Sequence, residues 1–252
     1  MTKKYLYFLL LAVLILTFLI GSANASEENL LSEGLEAYQE NNYEEAIDLL
    51  TEYASENEED YRPHYYLGLS YSKMGEYEMA INSLERADEF EENNYRILVN
   101  LGRAYYNNKD NEKAEEILKK AEEMNDIDEQ VYNLLGLLAQ DNQNWEKAED
   151  YFKEAIKINE KNFYIYNNLG FTYLMQGKYE EAEEYLQKAV ELDPPVAFVY
   201  NNLGVASENL GKLKDAEKNY EKALDLNPDY EKAKDNLTRV ENKIDEEKEE
   251  ED

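Results

Sequence analysis

No cysteine occurs among the 252 residues, and there is one histidine, His64, with four prolines and five arginines. Without a thiol there is no disulfide framework, thiolate metal site, cysteine nucleophile or lipid carried on cysteine. One imidazole leaves almost nothing from which to build histidine acid–base or metal chemistry. Cations are scarce too: 26 Lys plus Arg stand against 57 Asp plus Glu, a formal charge of −31. Each phosphate that a protein neutralises needs a cation, so nucleic acid is not expected as a partner. No catalytic residue, cofactor or metal site is expected. The acid excess fits two readings, solubility in high salt or attraction to a basic partner.

Long apolar runs are absent with one exception. Lys3 and Lys4 precede a stretch from Tyr5 to Ile20 that is apolar but for Thr17, followed by small residues ending in Ala23-Asn24-Ala25. A basic start, an apolar middle and a small-residue cleavage site are the order of a secretory signal, which assigns residues 1–25 to a signal peptide cut after Ala25. The competing reading is an uncleaved anchor, but sixteen residues at ~1.5 Å each reach only ~24 Å, short of a ~30 Å hydrocarbon core. Either way the remainder is expected to be exported: periplasmic, extracellular or tethered on the outer face of the cytoplasmic membrane, which it touches only through this segment. Cleavage would remove two lysines and no acid, leaving 24 bases against 57 acids, a charge of −33.

Glycine is rare, and its placing is regular. Of ten glycines, six (Gly34, Gly68, Gly102, Gly136, Gly170 and Gly204) stand 34 residues apart, and twelve residues after each comes Ala46, Ala80, Ala114, Ala148, Ala182 or Ala216. A strict period of this length belongs to repeats too small to bury an apolar face alone, which stack to make a core. Within a period, apolar residues recur at three- and four-residue spacing twice, as in Phe163 to Met175 and Tyr179 to Val190, predicting two amphipathic helices. Gly75, Gly177 and Gly211 fall at the turn between them, where a left-handed residue ends the first helix. A helical glycine costs about 1 kcal/mol relative to alanine, so six at one position imply close helix approach.

The fifth period reads Tyr166, Leu169, Gly170, Tyr173, Ala182, Leu186, Ala189, Pro194; the sixth reads Tyr200, Leu203, Gly204, Ser207, Ala216, Tyr220, Ala223, Pro228. On these residues the chain resembles an array of tetratricopeptide repeats. The resemblance implies an all-α, right-handed α-solenoid of six helix-turn-helix repeats, at 27–60, 61–94, 95–128, 129–162, 163–196 and 197–230. The first period departs from the pattern, with Glu33 before its glycine and Tyr53 in place of alanine, as a terminal unit can. Residues 231–252 are expected to form a capping helix, with Ala233, Leu237, Val240 and Ile244 on one stripe, and then a frayed acidic tail from Asp245.

The resemblance also implies a function: first helices line a concave groove that binds a partner peptide or helix. By position, the partner-binding residues are Arg62, Tyr65 and Leu69; Arg96, Val99 and Arg103; Asn133; Tyr164, Asn167 and Phe171; and Phe198, Asn201 and Val205. Asparagines there could meet a peptide backbone or merely solvate the groove. Arg62, Arg96 and Arg103, with Lys73 nearby, suggest a basic pocket for a carboxylate or acidic side chain, unless each pairs with a surface acid. His64 and the tyrosines that open second helices read as packing residues. The expected function is a non-enzymatic protein-interaction scaffold outside the cytoplasmic membrane, the alternatives being a self-assembling envelope component of unknown oligomeric state or an envelope enzyme.

Overall fold

A computed structural model describes residues 29–124, 128–192 and 196–251, so the signal-peptide reading of residues 1–25 and the Pro194-Pro195 pair lie outside the described residues. All regular structure among them is helical. First helices are α1 (29–39), α3 (Tyr61–Met74), α5 (Tyr95–Asn107), α7 (Glu129–Asp141), α9 (Phe163–Gln176) and α11 (Ala197–Asn209). Their second helices are α2 (Tyr43–Glu56), α4 (Tyr77–Phe90), α6 (Asn111–Glu122), α8 (Trp145–Ile158), α10 (Tyr179–Glu191) and α12 (Leu213–Leu226), and α13 (Glu231–Glu251) follows. The chain forms two compact units, one running to Ala121 and one starting at Glu122.

Local chemistry sets the helix boundaries. Asp60, Asn94, Asp128 and Asn162 each precede a first helix and accept a hydrogen bond from the backbone N–H two residues on, satisfying a donor the helix itself cannot pair. The intra-repeat turn is more regular than glycine alone reveals. Positive φ occurs at Asn41 (65°), Gly75 (82°), Lys109 (66°), Gln143 (56°), Gly177 (71°) and Gly211 (74°), each seven residues after a helical glycine. The next residue's N–H reaches back across the turn, as from Glu76 to the Tyr71 carbonyl at 2.9 Å and from Asp110 to that of Tyr105 at 3.0 Å. These are left-handed C-terminal caps. Asparagine, lysine and glutamine adopt the conformation at three of six turns because the helix pair on either side over-determines it.

The helical glycines make room for one large side chain each. A Cβ added at Gly34, Gly68, Gly102, Gly136, Gly170 or Gly204 would come within 2.5–2.8 Å of Leu50, Leu84, Leu118, Phe152, Leu186 or Tyr220, the residue sixteen positions on. All six of these side chains are completely buried, as are the six alanines twelve positions after the glycines. Close approach is therefore of a side chain onto a bare helix surface; at Gly68 the Ala80 carbonyl oxygen also lies 3.2 Å from the added Cβ. Burying a leucine or aromatic gains about 1.5–3 kcal/mol, which outweighs the ~1 kcal/mol helix penalty of glycine.

The first period's Tyr53 is buried and donates to Asp60 Oδ2 at 3.0 Å. His64 is half-buried and stacks on Phe90, ring centroids 5.8 Å apart, as a packing residue does. The acidic run after Ile244 differs from expectation: α13 continues through it to Glu251. Glutamate is a good helix former, and Lys248 pairs with Asp245 one turn earlier at 2.7 Å.

Candidate functional site

Neighbouring first helices pack side by side, α3 with α5 in the N-terminal unit and α7, α9, α11 and α13 in turn in the C-terminal unit. Rungs 35 residues apart tie them together. In the C-terminal unit Asn168 donates to Asn133 Oδ1 at 3.1 Å, Asn202 to Asn167 Oδ1 at 2.9 Å and Asn236 to Asn201 Oδ1 at 2.9 Å. In the N-terminal unit the rung is Asn100 donating to the Tyr65 hydroxyl at 3.2 Å. Asn167 and Asn201 are only 5% exposed, so they hold repeat to repeat rather than facing a peptide backbone. A buried amide has to be paired, and here the next repeat supplies the partner.

The basic pocket expected in the N-terminal unit is not assembled as drawn. Arg62 grips its own N-cap, Nη2 lying 2.6 Å from Asp60 Oδ2. Val99 is 3% exposed and belongs to the core, because its position on α5 faces neighbouring helices. Arg103, half-buried, donates to Asn100 Oδ1 at 3.2 Å, and Arg96 and Lys73 are exposed. Leu69 is half-buried. Around Tyr65, burial and the neighbouring Tyr66 push the phenol pKa up, against the opposing charges of Arg96 and Arg103.

The C-terminal unit has a better-formed site. A cleft of about 520 Å³ lies along α9, α11 and α13, with Phe171, Met175 and Val205 as its apolar side and Asn201, Asn236, Lys232 and Arg239 among its polar residues. Phe171 is 38% and Met175 50% exposed, and both open into this one cleft. Toward the helix N-termini the apolar strip continues: Tyr164, 49% exposed, stacks on Phe163 at 4.1 Å and faces half-buried Phe198 at 6.1 Å.

Two carboxylates, buried Glu208 and half-buried Glu149, tie down helices that carry the cleft. Glu208 on α11 receives Arg239 Nε at 2.8 Å and Nη2 at 2.7 Å, Lys243 at 2.9 Å and the Tyr220 hydroxyl at 2.8 Å. Burial alone would raise its pKa, but the hydrogen bonds from Arg239, Lys243 and Tyr220 prevail and hold it at about 2. That network latches α13 onto the sixth repeat. Glu149 does likewise between α8 and α9: burial opposes ionisation, bonds from Lys153 and Tyr173 outweigh it, and the pKa sits at about 2.

Of the expected site residues, the cleft brings together Phe171 and Asn201 with Val205, and Tyr164 and Phe198 extend it. Sequence reading missed Met175, Lys232, Asn236 and Arg239. Met175 was visible as the continuation of the Tyr164–Phe171 stripe, and Asn236 as the third asparagine pair at a spacing of 35 residues. Among the described residues no group of His, Asp or Glu is arranged to hold a metal, and no helix is long and apolar enough to cross a membrane.

The family model for the C-terminal domain of cilia and flagella-associated protein 70, a tetratricopeptide-repeat domain, matches residues 20–242. Among solved structures, Pseudomonas aeruginosa PilF superposes with a TM-score of 0.75 at 17% identity, over 86% of this chain and 98% of that one. The APC/C hetero-tetramer Cut9–Hcn1 gives a TM-score of 0.74 at 19% identity over 85% of this chain, which spans only 42% of its partner in the comparison. YrrB, described as a TPR protein with an unusual peptide-binding site, gives 0.57 at 23% identity, over 73% of this chain and 95% of that one. No curated protein matches the sequence. At these identities the likeness is one of fold.

Proposed function

This chain belongs to the tetratricopeptide-repeat family, whose helix pairs serve as protein-interaction scaffolds, and on that footing we propose that its C-terminal unit holds a peptide or helix of a partner protein in the α9–α11–α13 cleft. The observation that carries this reading is the exposed Phe171 and Met175 beside a wall of paired asparagines. Apolar side chains left open to water on a rigid surface favour a ligand that covers them. The partner is carried, not chemically altered. The scaffold works outside the cytoplasmic membrane, a reading supported by the Lys3-Lys4, Tyr5–Ile20 and Ala23-Asn24-Ala25 order.

One experiment addresses both parts. A photo-crosslinking amino acid replaces Phe171 in cells, with the same residue at Glu221 on α12 as the comparison. The expected result is a discrete crosslinked protein from position 171, absent from position 221, on a chain whose N-terminus sequences as Ser26. Equal capture from both positions overturns the cleft reading, and a captured chain retaining Met1 in a cytosolic fraction overturns export.

A further inference from the structure

The α9–α11–α13 cleft has the opposite charge balance to the chain that contains it. Over the whole sequence there are 31 excess negative charges in 252 residues. The charged residues lining the cleft are Lys232, Asp235 and Arg239, two cations and one acid, a balance of +1. All three come from α13, while α9 and α11 contribute only apolar and amide side chains to it.

Helix geometry explains why they act together. Lys232 and Arg239 are seven residues apart, two turns and ~10 Å along one face of α13. Lys232 is exposed and forms no ion pair among the described residues. Arg239 forks onto Glu208, yet its side chain remains 48% exposed, and Lys243 also pairs with that carboxylate. Two cations share one buried acid, so Glu208 by itself does not neutralise both. The Glu208 latch therefore does more than cap the stack: it fixes α13 so that Lys232 and the outer edge of Arg239 stand beside Phe171 and Met175.

We infer that α13 is the specificity wall of this cleft, and that the ligand is an acidic amphipathic peptide segment whose apolar side chains cover Phe171, Met175 and Val205 while a following carboxylate meets Lys232 and Arg239. This rests on the cleft being the partner site. A basic segment would place like charges against Lys232, and a purely apolar one would leave that cation desolvated without a partner; both are disfavoured. The cleft volume of about 520 Å³ lies within the range that takes several side chains.

The test uses the full-length chain and two fluorescein-labelled synthetic peptides. Each has a pair of leucines one turn apart, followed by paired glutamates in one and paired glutamines in the other. Fluorescence anisotropy at low and moderate salt reads affinity. The glutamate peptide is expected to bind roughly tenfold tighter at low salt, with the advantage shrinking as salt screens it and vanishing in Lys232→Glu, whose exposed side chain has no described ion pair to lose. Phe171→Asp should weaken both peptides by roughly tenfold or more. If the two peptides bind equally and Lys232→Glu changes neither while Phe171→Asp weakens both, the acid preference is overturned and the cleft survives as the site. Unchanged binding in Phe171→Asp overturns the cleft itself. Should neither peptide bind, the inference fails, and crosslinking from position 171 decides its premise independently.

Discussion

Over the helical glycines of the N-terminal unit lies leucine each time, at positions 50, 84 and 118; in the C-terminal unit the covering residues are Phe152, Leu186 and Tyr220. Along the first helices the divergence is wider, with a Tyr65–Asn100 rung and charged side chains in one unit, an asparagine ladder and exposed Phe171 and Met175 in the other. The difference separates two kinds of position. Where a side chain is enclosed between two helices of one repeat, close packing admits only a small residue beneath a large one, and both units obey that rule. On the open side of the first helices the constraint is only that buried polar atoms be paired, which different chemistries satisfy. Specialisation accumulates there. Among the described residues the C-terminal unit holds two carboxylates held at about 2, Glu149 and Glu208, so its cohesion depends on charge.

Removing the Glu208 latch should separate the units most. Glu208→Ala leaves Arg239, Lys243 and Tyr220 without their shared acceptor, and loss of about 2–3 kcal/mol is expected, toward the lower end for buried ion pairs because both cations are half exposed. The pH dependence has a definite sign. A carboxyl held near 2 against an ordinary value of 4.5 contributes stability that is complete above about 4.5 and fades as pH falls toward 2. Trp145, the sole tryptophan, sits in the C-terminal unit, so its fluorescence follows that unit alone. Acid titration should show a Trp145 transition in this window that is shallower in Glu208→Gln; an identical slope in the variant would count against the latch.

A smaller effect distinguishes the two covers. Gly204→Ala drives a Cβ to 2.5 Å from the Tyr220 ring, whereas Gly34→Ala meets the Leu50 Cγ at 2.8 Å. A ring fixed by its bond to Glu208 yields less readily than a leucine. Gly204→Ala should cost about 1–3 kcal/mol, and Gly34→Ala less than about 1 kcal/mol because the alanine gains helix propensity. Urea denaturation of the two variants, compared midpoint to midpoint, checks the order. If Gly34→Ala is the worse of the two, rigidity of the covering side chain is not the deciding factor.

The smallest change is a gain. Lys109 and Gln143 hold φ of 66° and 56° where three other repeats have glycine. Lys109→Gly and Gln143→Gly should each stabilise their own unit by about 0.5–1 kcal/mol, the left-handed penalty removed less the added entropy of the unfolded glycine. A lower unfolding midpoint in both would mean that the turns are relaxed as they stand.

The repeat was readable because enclosed positions leave little freedom: a glycine every 34 residues, an alanine twelve on, and tyrosine or tryptophan opening α2, α4, α8 and α10 are steric requirements written in residue types. The open positions were less readable, since an arginine on a first helix is compatible with a ligand or with an acid two residues away, as Arg62 and Asp60 demonstrate. Asn167 and Asn201 looked like groove residues because one helix viewed alone leaves that face bare. Helical periodicity, the three glycine turns and the family thus follow from the sequence by itself, because each depends on contacts within about twenty residues. The division after Ala121, the asparagine rungs and the joining of Lys232 and Arg239 to Phe171 were decided by the tertiary structure alone, since each depends on which faces of separate helices meet.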